Sequence, residues 1–150
     1  MRLLLFTLLF IPTVASAAPS MRAVMRIVNH MPLCAEHVNE INFVNMPYYS
    51  NMGSAGYDYI NLNENLWFFE LAETVGHECG HIVDYHTQGF NWLKDTTFGQ
   101  QPYVSDYAQT DSYEDFAETY MRYVLYGEGN RKKRRVLDMI LSQPPPYGHY

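Results

Sequence analysis

Apolar residues recur at helical spacing over the twenty residues from Leu66 to Tyr85, and two histidines lie within this stretch. Four of the apolar positions are Leu71, Val75, Ile82 and Val83. A repeat of three to four residues predicts an amphipathic helix. His77 and His81 are four residues apart, and residues at that spacing share one face of a helix. The chain is therefore expected to build a long helix with two imidazoles side by side.

The two histidines belong to the sequence HECGH, residues 77–81, which matches the metal-binding pattern H-E-x-x-H. On a helix, each imidazole can offer one ring nitrogen to the same Zn²⁺, at about 2.0–2.1 Å. Glu78 follows the first histidine, so it would lie near the open side of the metal and accept a proton from an activated water. The alternative is a chance pattern on a surface helix, and a third ligand would favour the metal site.

Candidates for the third ligand lie downstream, because catalytic zinc usually has three protein ligands. The long form of the pattern has its ligand six residues after the second histidine, but that residue is Thr87. Glu114 and Glu118 share a face of a second predicted helix, where two acids repel each other unless a cation is near. The spacing leaves open which of them binds the metal, and a plain acidic helix is the alternative. Asp115 points to another side and is expected in solvent.

The order of patterns along the chain predicts an α+β domain with a small sheet, and 150 residues leave room for one core. The predicted elements are a helix from Met21 to Met31, strands from Ile41 to Met46 and Tyr57 to Leu62, the long helix, a loop from Gly89 to Ser105, a helix from Tyr113 to Tyr126 capped by Ser112, and a last helix that is capped by Asn130 and runs through Leu141. The segment between the strands is expected to be a loop.

Three stretches resemble the gluzincin peptidases, and most closely the anthrax lethal factor catalytic domain and the Pro-Pro endopeptidases. They are HECGHIVD at 77–84, SDYA at 105–108 and EDFAETY at 114–120. In those families a catalytic tyrosine lies seven residues before a glutamate ligand, and Tyr107 lies seven before Glu114. A second acid lies four residues after that ligand, as Glu118 does. The resemblance covers roughly residues 57–126 and implies a zincin-like fold, with the sheet packed on the HECGH helix and a downstream helix that carries the glutamate.

The resemblance also implies a role for each matching residue. It implies one Zn²⁺ per chain, held by His77, His81 and Glu114. Glu78 becomes the general base, and Tyr107 stabilises the oxyanion of the tetrahedral intermediate. Glu118 becomes the acceptor that orients His77, and Asp84 is a candidate for the same task at His81. The alternatives are that Tyr107 is one of thirteen packed tyrosines and that Asp84 is a solvated helix residue. The strand from Tyr57 to Leu62 would line the cleft and pair with an extended substrate.

The N-terminus predicts export. Residues 1–17 have a basic start, an apolar run and the small-residue sequence Ala-Ser-Ala, which is typical of a secretory signal peptide. Residues 18–150 would then form the metallopeptidase domain, with its catalytic part at about 40–142, in a secreted or periplasmic protein without a membrane anchor. An uncleaved N-terminal anchor is the alternative.

The chain has two cysteines, and in an oxidising compartment an even number predicts pairing. Cys79 is two residues from both histidines, so it should point away from the metal, and a disulfide to Cys34 is the expected arrangement. The alternative makes Cys34 a ligand that caps the metal and keeps the enzyme latent.

Charge is unevenly distributed. The net charge of −6 argues against a general nucleic-acid binder. Residues 131–135 form a basic run, RKKRR. The run would suit an anionic surface, a glycan or a processing site, but it is best explained as the solvated face of a helix that packs through Val136, Met139 and Ile140.

Together these features predict a monomeric, secreted zinc endopeptidase acting on a protein or peptide substrate. The alternative is a zinc-binding effector or interaction protein that keeps the fold without turnover. Retention of Glu78 and Tyr107 favours the enzyme, because metal binding alone requires neither residue.

Overall fold

A three-stranded sheet and five α-helices are found in the part of the chain that the computed structural model describes, residues 19–47, 52–87 and 97–142. The helices are α1 (Met21–Val28), α2 (Cys34–His37), α3 (Phe68–Thr87), α4 (Ser112–Tyr126) and α5 (Arg131–Ser142), and the strands are β1 (Glu40–Val44), β2 (Gly53–Ala55) and β3 (Tyr59–Asn63). A 3-10 turn spans Tyr107–Gln109. The predicted α+β class, as one small domain, is confirmed. The predicted signal peptide at 1–17 lies outside the described residues.

The sheet has the order β1-β3-β2, with β1 parallel and β2 antiparallel to β3. Because β3 is paired on both sides, the expectation that the strand from Tyr57 to Leu62 pairs with an extended substrate is wrong. Among the described residues the sheet edge on this side is β2, most of which was expected to be a loop. Its sequence, Gly-Ser-Ala, has no apolar alternation, so only pairing with β3 makes it a strand.

The long helix α3 buries the face that the sequence predicts. Leu71, Val75, Ile82 and Val83 are all at most 1% exposed and join a core with Ile60 and Leu62 of the central strand. Burial of this apolar face stabilises the helix more than its intrinsic propensity does. Among the described residues, no helix combines the length and the apolar character that are needed to cross a lipid bilayer.

Helices α3 and α4 touch through their backbones. A methyl group added at Gly80 would lie 2.6 Å from the Ala117 Cα and 2.9 Å from its carbonyl oxygen. Such distances are far below van der Waals contact, so the crossing needs a residue without a Cβ at this position. Ala117 lies between Glu114 and Glu118 in sequence, and the crossing therefore brings these two acids to the histidines of α3.

Capping residues fix where α4 and α5 begin. The Asp111 carboxylate accepts hydrogen bonds from the amides of Tyr113 and Glu114 at 2.9 and 3.0 Å, so Asp111 caps α4 and the assignment of Ser112 is wrong. Ser112 is already the first helical residue. Asn130 caps α5 as predicted, through the amides of Lys132 and Lys133.

A disulfide joins α2 to the back of α3, as predicted. It links Cys34 to Cys79, whose Cα atoms are 5.3 Å apart, and both residues are fully buried. Because the Cys34 sulfur is held in this bond, the alternative in which it caps a metal is wrong. The bond is compatible with the oxidising compartment expected for an exported chain.

The basic run contains one residue that is not solvated. Lys133 is fully buried and pairs with Asp115 of α4, which is also fully buried, so the expectation that Asp115 lies in solvent is wrong. The Lys133 ammonium also lies 4.5 Å from the ring centroid of Tyr103. This pair sets the rotation of α5, which packs through Lys133, Leu137 and Ile140. The predicted packing residue Met139 is 52% exposed instead.

Removal of one partner of the Lys133–Asp115 pair should lower the free energy of unfolding far more than removal of a neighbouring surface charge. Lys133→Met leaves the Asp115 carboxylate buried without its cation, and such losses cost about 3–5 kcal/mol of unfolding free energy. Arg135→Met, at an exposed position of the same run, should change stability by less than about 0.5 kcal/mol. Urea unfolding of both variants measures the difference, and equal costs would contradict the buried pair.

Candidate metal centre

His77, His81 and Glu114 bring three candidate ligand atoms together. The Nε2 atoms of the two histidines are 3.1 Å apart, and Glu114 Oε2 lies 3.0 Å from the first and 3.6 Å from the second. Tetrahedral ligands at 2.0–2.1 Å from Zn²⁺ would be separated by about 3.3 Å. The triangle therefore has the dimensions of one face of such a coordination sphere. These three residues could hold a metal ion.

The Glu114 carboxylate has an unused buried oxygen. Its Oε2 atom is shielded from solvent but makes no hydrogen bond, although the His77 ring is close. A buried carboxylate oxygen that accepts no hydrogen bond is costly, and positive charge in the centre of the triangle, from a metal ion or from a proton on the His77 ring, would offset that cost. Two imidazoles and a carboxylate are ligands that Zn²⁺ accepts, and other transition metals accept them too. The structure thus supports a metal site without specifying the metal.

Glu118 lies behind His77. Its Oε1 atom accepts a hydrogen bond from His77 Nδ1 at 2.8 Å, so the opposite ring nitrogen, Nε2, points into the triangle. Metal-binding histidines commonly have such a carboxylate partner, which fixes the tautomer and the ring orientation. The other carboxylate oxygen of Glu118, Oε2, accepts a hydrogen bond from the Ser105 hydroxyl at 2.6 Å. Sequence reasoning assigned no role to this serine.

Opposite charges in the centre shift the pKa values of its members in opposite directions. Burial lowers the pKa of the His77 imidazole, but contacts with Glu114 and Glu118 raise it more, to about 9. Burial raises the pKa of the Glu114 carboxyl, but the two histidine rings lower it more, to well below its usual range. In the metal-free protein a proton on His77 therefore supplies part of the positive charge that a metal would bring.

Glu78 is held in a tight, dry position. It is 5% exposed, and a methyl group added at Gly53 of β2 would lie 2.7 Å from Glu78 Oε1. The edge strand thus passes directly against the carboxylate, and a larger residue at position 53 would displace the Glu78 side chain. Burial raises the pKa of Glu78, and the attraction of His77 and His81 opposes this shift. Sequence reasoning did not identify Gly53, because a lone glycine in a polar segment carries no distinctive pattern.

Tyr107 reaches the centre from the 3-10 turn before α4. Its ring centroid is 5.7 Å from that of His77, and the side chain is 54% exposed on the open side of the site. Partial burial, and then the negative charge of Glu114, raise the pKa of the phenol to about 12. The hydroxyl therefore keeps its proton at neutral and moderately alkaline pH, and it can serve as a hydrogen-bond donor.

Asp84 lies one turn after His81 on α3, and the two residues line the same cavity. Burial raises the pKa of its carboxyl to about 6, and the nearby His81 opposes the shift. A role for Asp84 in orienting the His81 ring stays a prediction.

Two cavities extend in opposite directions from the centre and share four of its residues: Gly53, His77, Glu78 and Tyr107. One, of about 300 Å³, continues along Met52, Glu73 and Thr74. The other, of about 350 Å³, continues along Ala55, Asp111 and Tyr113. The candidate ligands thus lie in the middle of a groove that follows the edge strand β2.

Comparison of the chain with protein-family models, with curated proteins and with solved structures finds no match in any of the three.

Zinc affinity should depend on pH. With a pKa of about 9, His77 is charged at pH 7, so a metal must displace a proton from it. The apparent affinity should therefore rise about tenfold per pH unit between pH 7 and 8.5, the slope for one displaced proton. It should level off above the pKa of about 9. Competition with a chromophoric chelator at several pH values measures this slope.

A matched variant tests the cause of the slope. Glu118→Gln removes one of the three carboxylates that raise the His77 pKa, so the affinity should level off at a lower pH than in the wild type. An affinity independent of pH in the wild-type protein would show that His77 is neutral before the metal binds.

Proposed function

We propose that the protein is a zinc-dependent endopeptidase. The observation that carries the proposal is the grouping of His77, His81 and Glu114 into a metal-sized triangle beside Glu78 and Tyr107, in the middle of an open groove. The resemblance to the gluzincins, of the lethal factor and Pro-Pro endopeptidase type, supports zinc as the metal and a zincin-like arrangement of α3, α4 and the sheet. When bound, Zn²⁺ polarises the substrate carbonyl and increases the acidity of water.

Glu78 would act as the base and then as the acid. Its carboxylate lies in the same cavities as the candidate ligands and is shielded from solvent, and its raised pKa favours holding a proton once it has taken one. It would accept the proton of the attacking water and pass it to the nitrogen of the leaving amine as the peptide bond breaks. The absence of a Cβ at Gly53 leaves room for this side chain beside the edge strand, since a Cβ there would lie 2.7 Å from Glu78 Oε1.

Tyr107 would stabilise the charge that develops on the substrate. A phenol that keeps its proton can donate a hydrogen bond to the carbonyl oxygen as that oxygen becomes an oxyanion. The partial exposure of Tyr107 on the open side of the groove suits contact with a bound peptide. Glu118 would hold His77 in the tautomer that leaves Nε2 free for the metal.

The edge strand β2 would bind the substrate. Its outer edge lies along the groove, and an extended peptide can pair with such an edge through main-chain hydrogen bonds. Because cavities continue on both sides of the centre, a chain could extend past it in both directions, as cleavage within a polypeptide requires. The predicted signal peptide and the disulfide favour action outside the cytoplasm.

Two substitutions separate catalysis from metal binding. Glu78→Gln should lower kcat/KM by about 10²–10⁴, the contribution of a general base, while zinc content stays at one per chain. Tyr107→Phe should lower it by about 10²–10³, the value of one oxyanion donor. Tyr57→Phe removes the hydroxyl of an exposed tyrosine that lines neither cavity and should leave the rate within about twofold of the wild type.

A peptide library digested by the zinc-loaded protein and read by mass spectrometry measures these rates. Defined cuts that disappear in Glu78→Gln would support the peptidase. A folded protein that holds one zinc and cuts no peptide would refute the peptidase and leave a zinc-binding protein without turnover.

A further inference from the structure

Ser105 precedes the 3-10 turn that carries Tyr107 and makes two hydrogen bonds in different directions. Its hydroxyl donates to Glu118 Oε2 at 2.6 Å, and the same oxygen accepts from the Ala108 amide at 3.1 Å. One side of Ser105 thus contacts the carboxylate behind His77, and the other side contacts the backbone that positions Tyr107.

The two bonds fix where the hydroxyl proton lies. The Ala108 amide can only donate, so it must use the serine oxygen as its acceptor. The single hydroxyl proton is then directed to Glu118, which leaves the carboxylate accepting two hydrogen bonds, from Ser105 and from His77. His77 must therefore carry a proton on Nδ1, so Nε2 is the ring nitrogen that can offer a lone pair to a metal once any proton on it has left.

We propose that Ser105 is a positioning residue that couples the orientation of the metal ligand His77 to the placement of Tyr107. It acts on the metal through Glu118 and on the reacting carbonyl through the turn at 107–109. The metal half of this proposal depends on the candidate ligands alone, whereas the Tyr107 half rests on the proposed peptidase function.

The first test measures zinc affinity. Ser105→Ala removes both hydrogen bonds and should weaken zinc binding about 10-fold, the lower end of the 10- to 100-fold loss expected for Glu118, the direct partner of the candidate ligand His77. Ser105→Thr keeps a hydroxyl and should restore the affinity to within about threefold of the wild type. Asp106→Ala changes the next residue of the same turn, which bonds to Gln109 and not to Glu118, and should leave the affinity unchanged.

A double-mutant cycle identifies the route of the effect. If Ser105 acts through Glu118, adding Ser105→Ala to Glu118→Ala should weaken zinc binding no further than Glu118→Ala alone. Urea unfolding of each metal-free variant establishes that the chain is folded when affinity is measured. Additive losses, a wild-type affinity in Ser105→Ala, or a Thr variant as weak as the Ala variant would each overturn the proposal.

The second test measures catalysis at saturating zinc. Ser105→Ala should lower kcat about 10-fold with little change in KM, and this loss should shrink in the Tyr107→Phe background. An equal loss in both backgrounds would refute the coupling to Tyr107. If the wild-type protein cleaves no peptide, the proposed function fails, and the affinity measurements still decide the role of Ser105 at the metal.

Discussion

The backbone contact between α3 and α4 determines the geometry of everything around the candidate metal centre. Gly80 and Ala117 approach so closely that a single added methyl group would collide with the main chain of the opposite helix. The candidate ligands of α3 and α4 lie within four residues of this crossing, so a change in the distance between the helices would directly change the distances in the triangle. The fold therefore positions the site by contact of two rigid helices rather than by flexible loops.

The surroundings of two neighbouring glutamates in the centre shift their pKa values in opposite directions. Glu114 faces two imidazoles, and its negative charge is stabilised, whereas Glu78 is buried against the Gly53 backbone and its charge is disfavoured. Both are glutamates on neighbouring helices, and their environments alone separate them. One is suited to holding a cation, and the other is suited to receiving a proton.

Periodicity and capping chemistry predicted the elements whose sequence signals come from residues close together in the chain. The apolar repeat placed α3, and Asn130 marked the start of α5, because these signals depend on residues close in sequence. The strand β2 could not be predicted in this way, since three small residues become a strand only when β3 lies beside them. The same reason hid the pairing of Lys133 with Asp115, which looked like two solvated charges until the packing of α5 on α4 was known.

At the site, the H-E-x-x-H spacing indicated which side chains share a helical face, but not what lies opposite them. The resemblance, rather than the spacing, selected Glu114 over Glu118 as the ligand candidate, and in the structure Glu114 is the one whose carboxylate lies in the triangle. Ser105 and Gly53 had no signal of their own. Their importance comes from contacts with residues that are 13 and 25 positions away, to Glu118 and Glu78 respectively.

The disulfide between Cys34 and Cys79 closes a covalent ring. Its main consequence depends on which elements of the fold lie between the two cysteines. Its sequence separation of 45 residues encloses all three strands together with the first half of α3, including His77 and Glu78. A ring of this size lowers the entropy of the unfolded chain by an amount worth about 4 kcal/mol. The segments that form the three strands and the first two residues of the motif therefore stay within one covalent loop even when the chain is unfolded. Glu114 and Tyr107 lie outside the ring. The α3 side of the candidate centre is therefore attached to the sheet by a covalent bond, whereas the α4 side is held to it only by non-covalent packing.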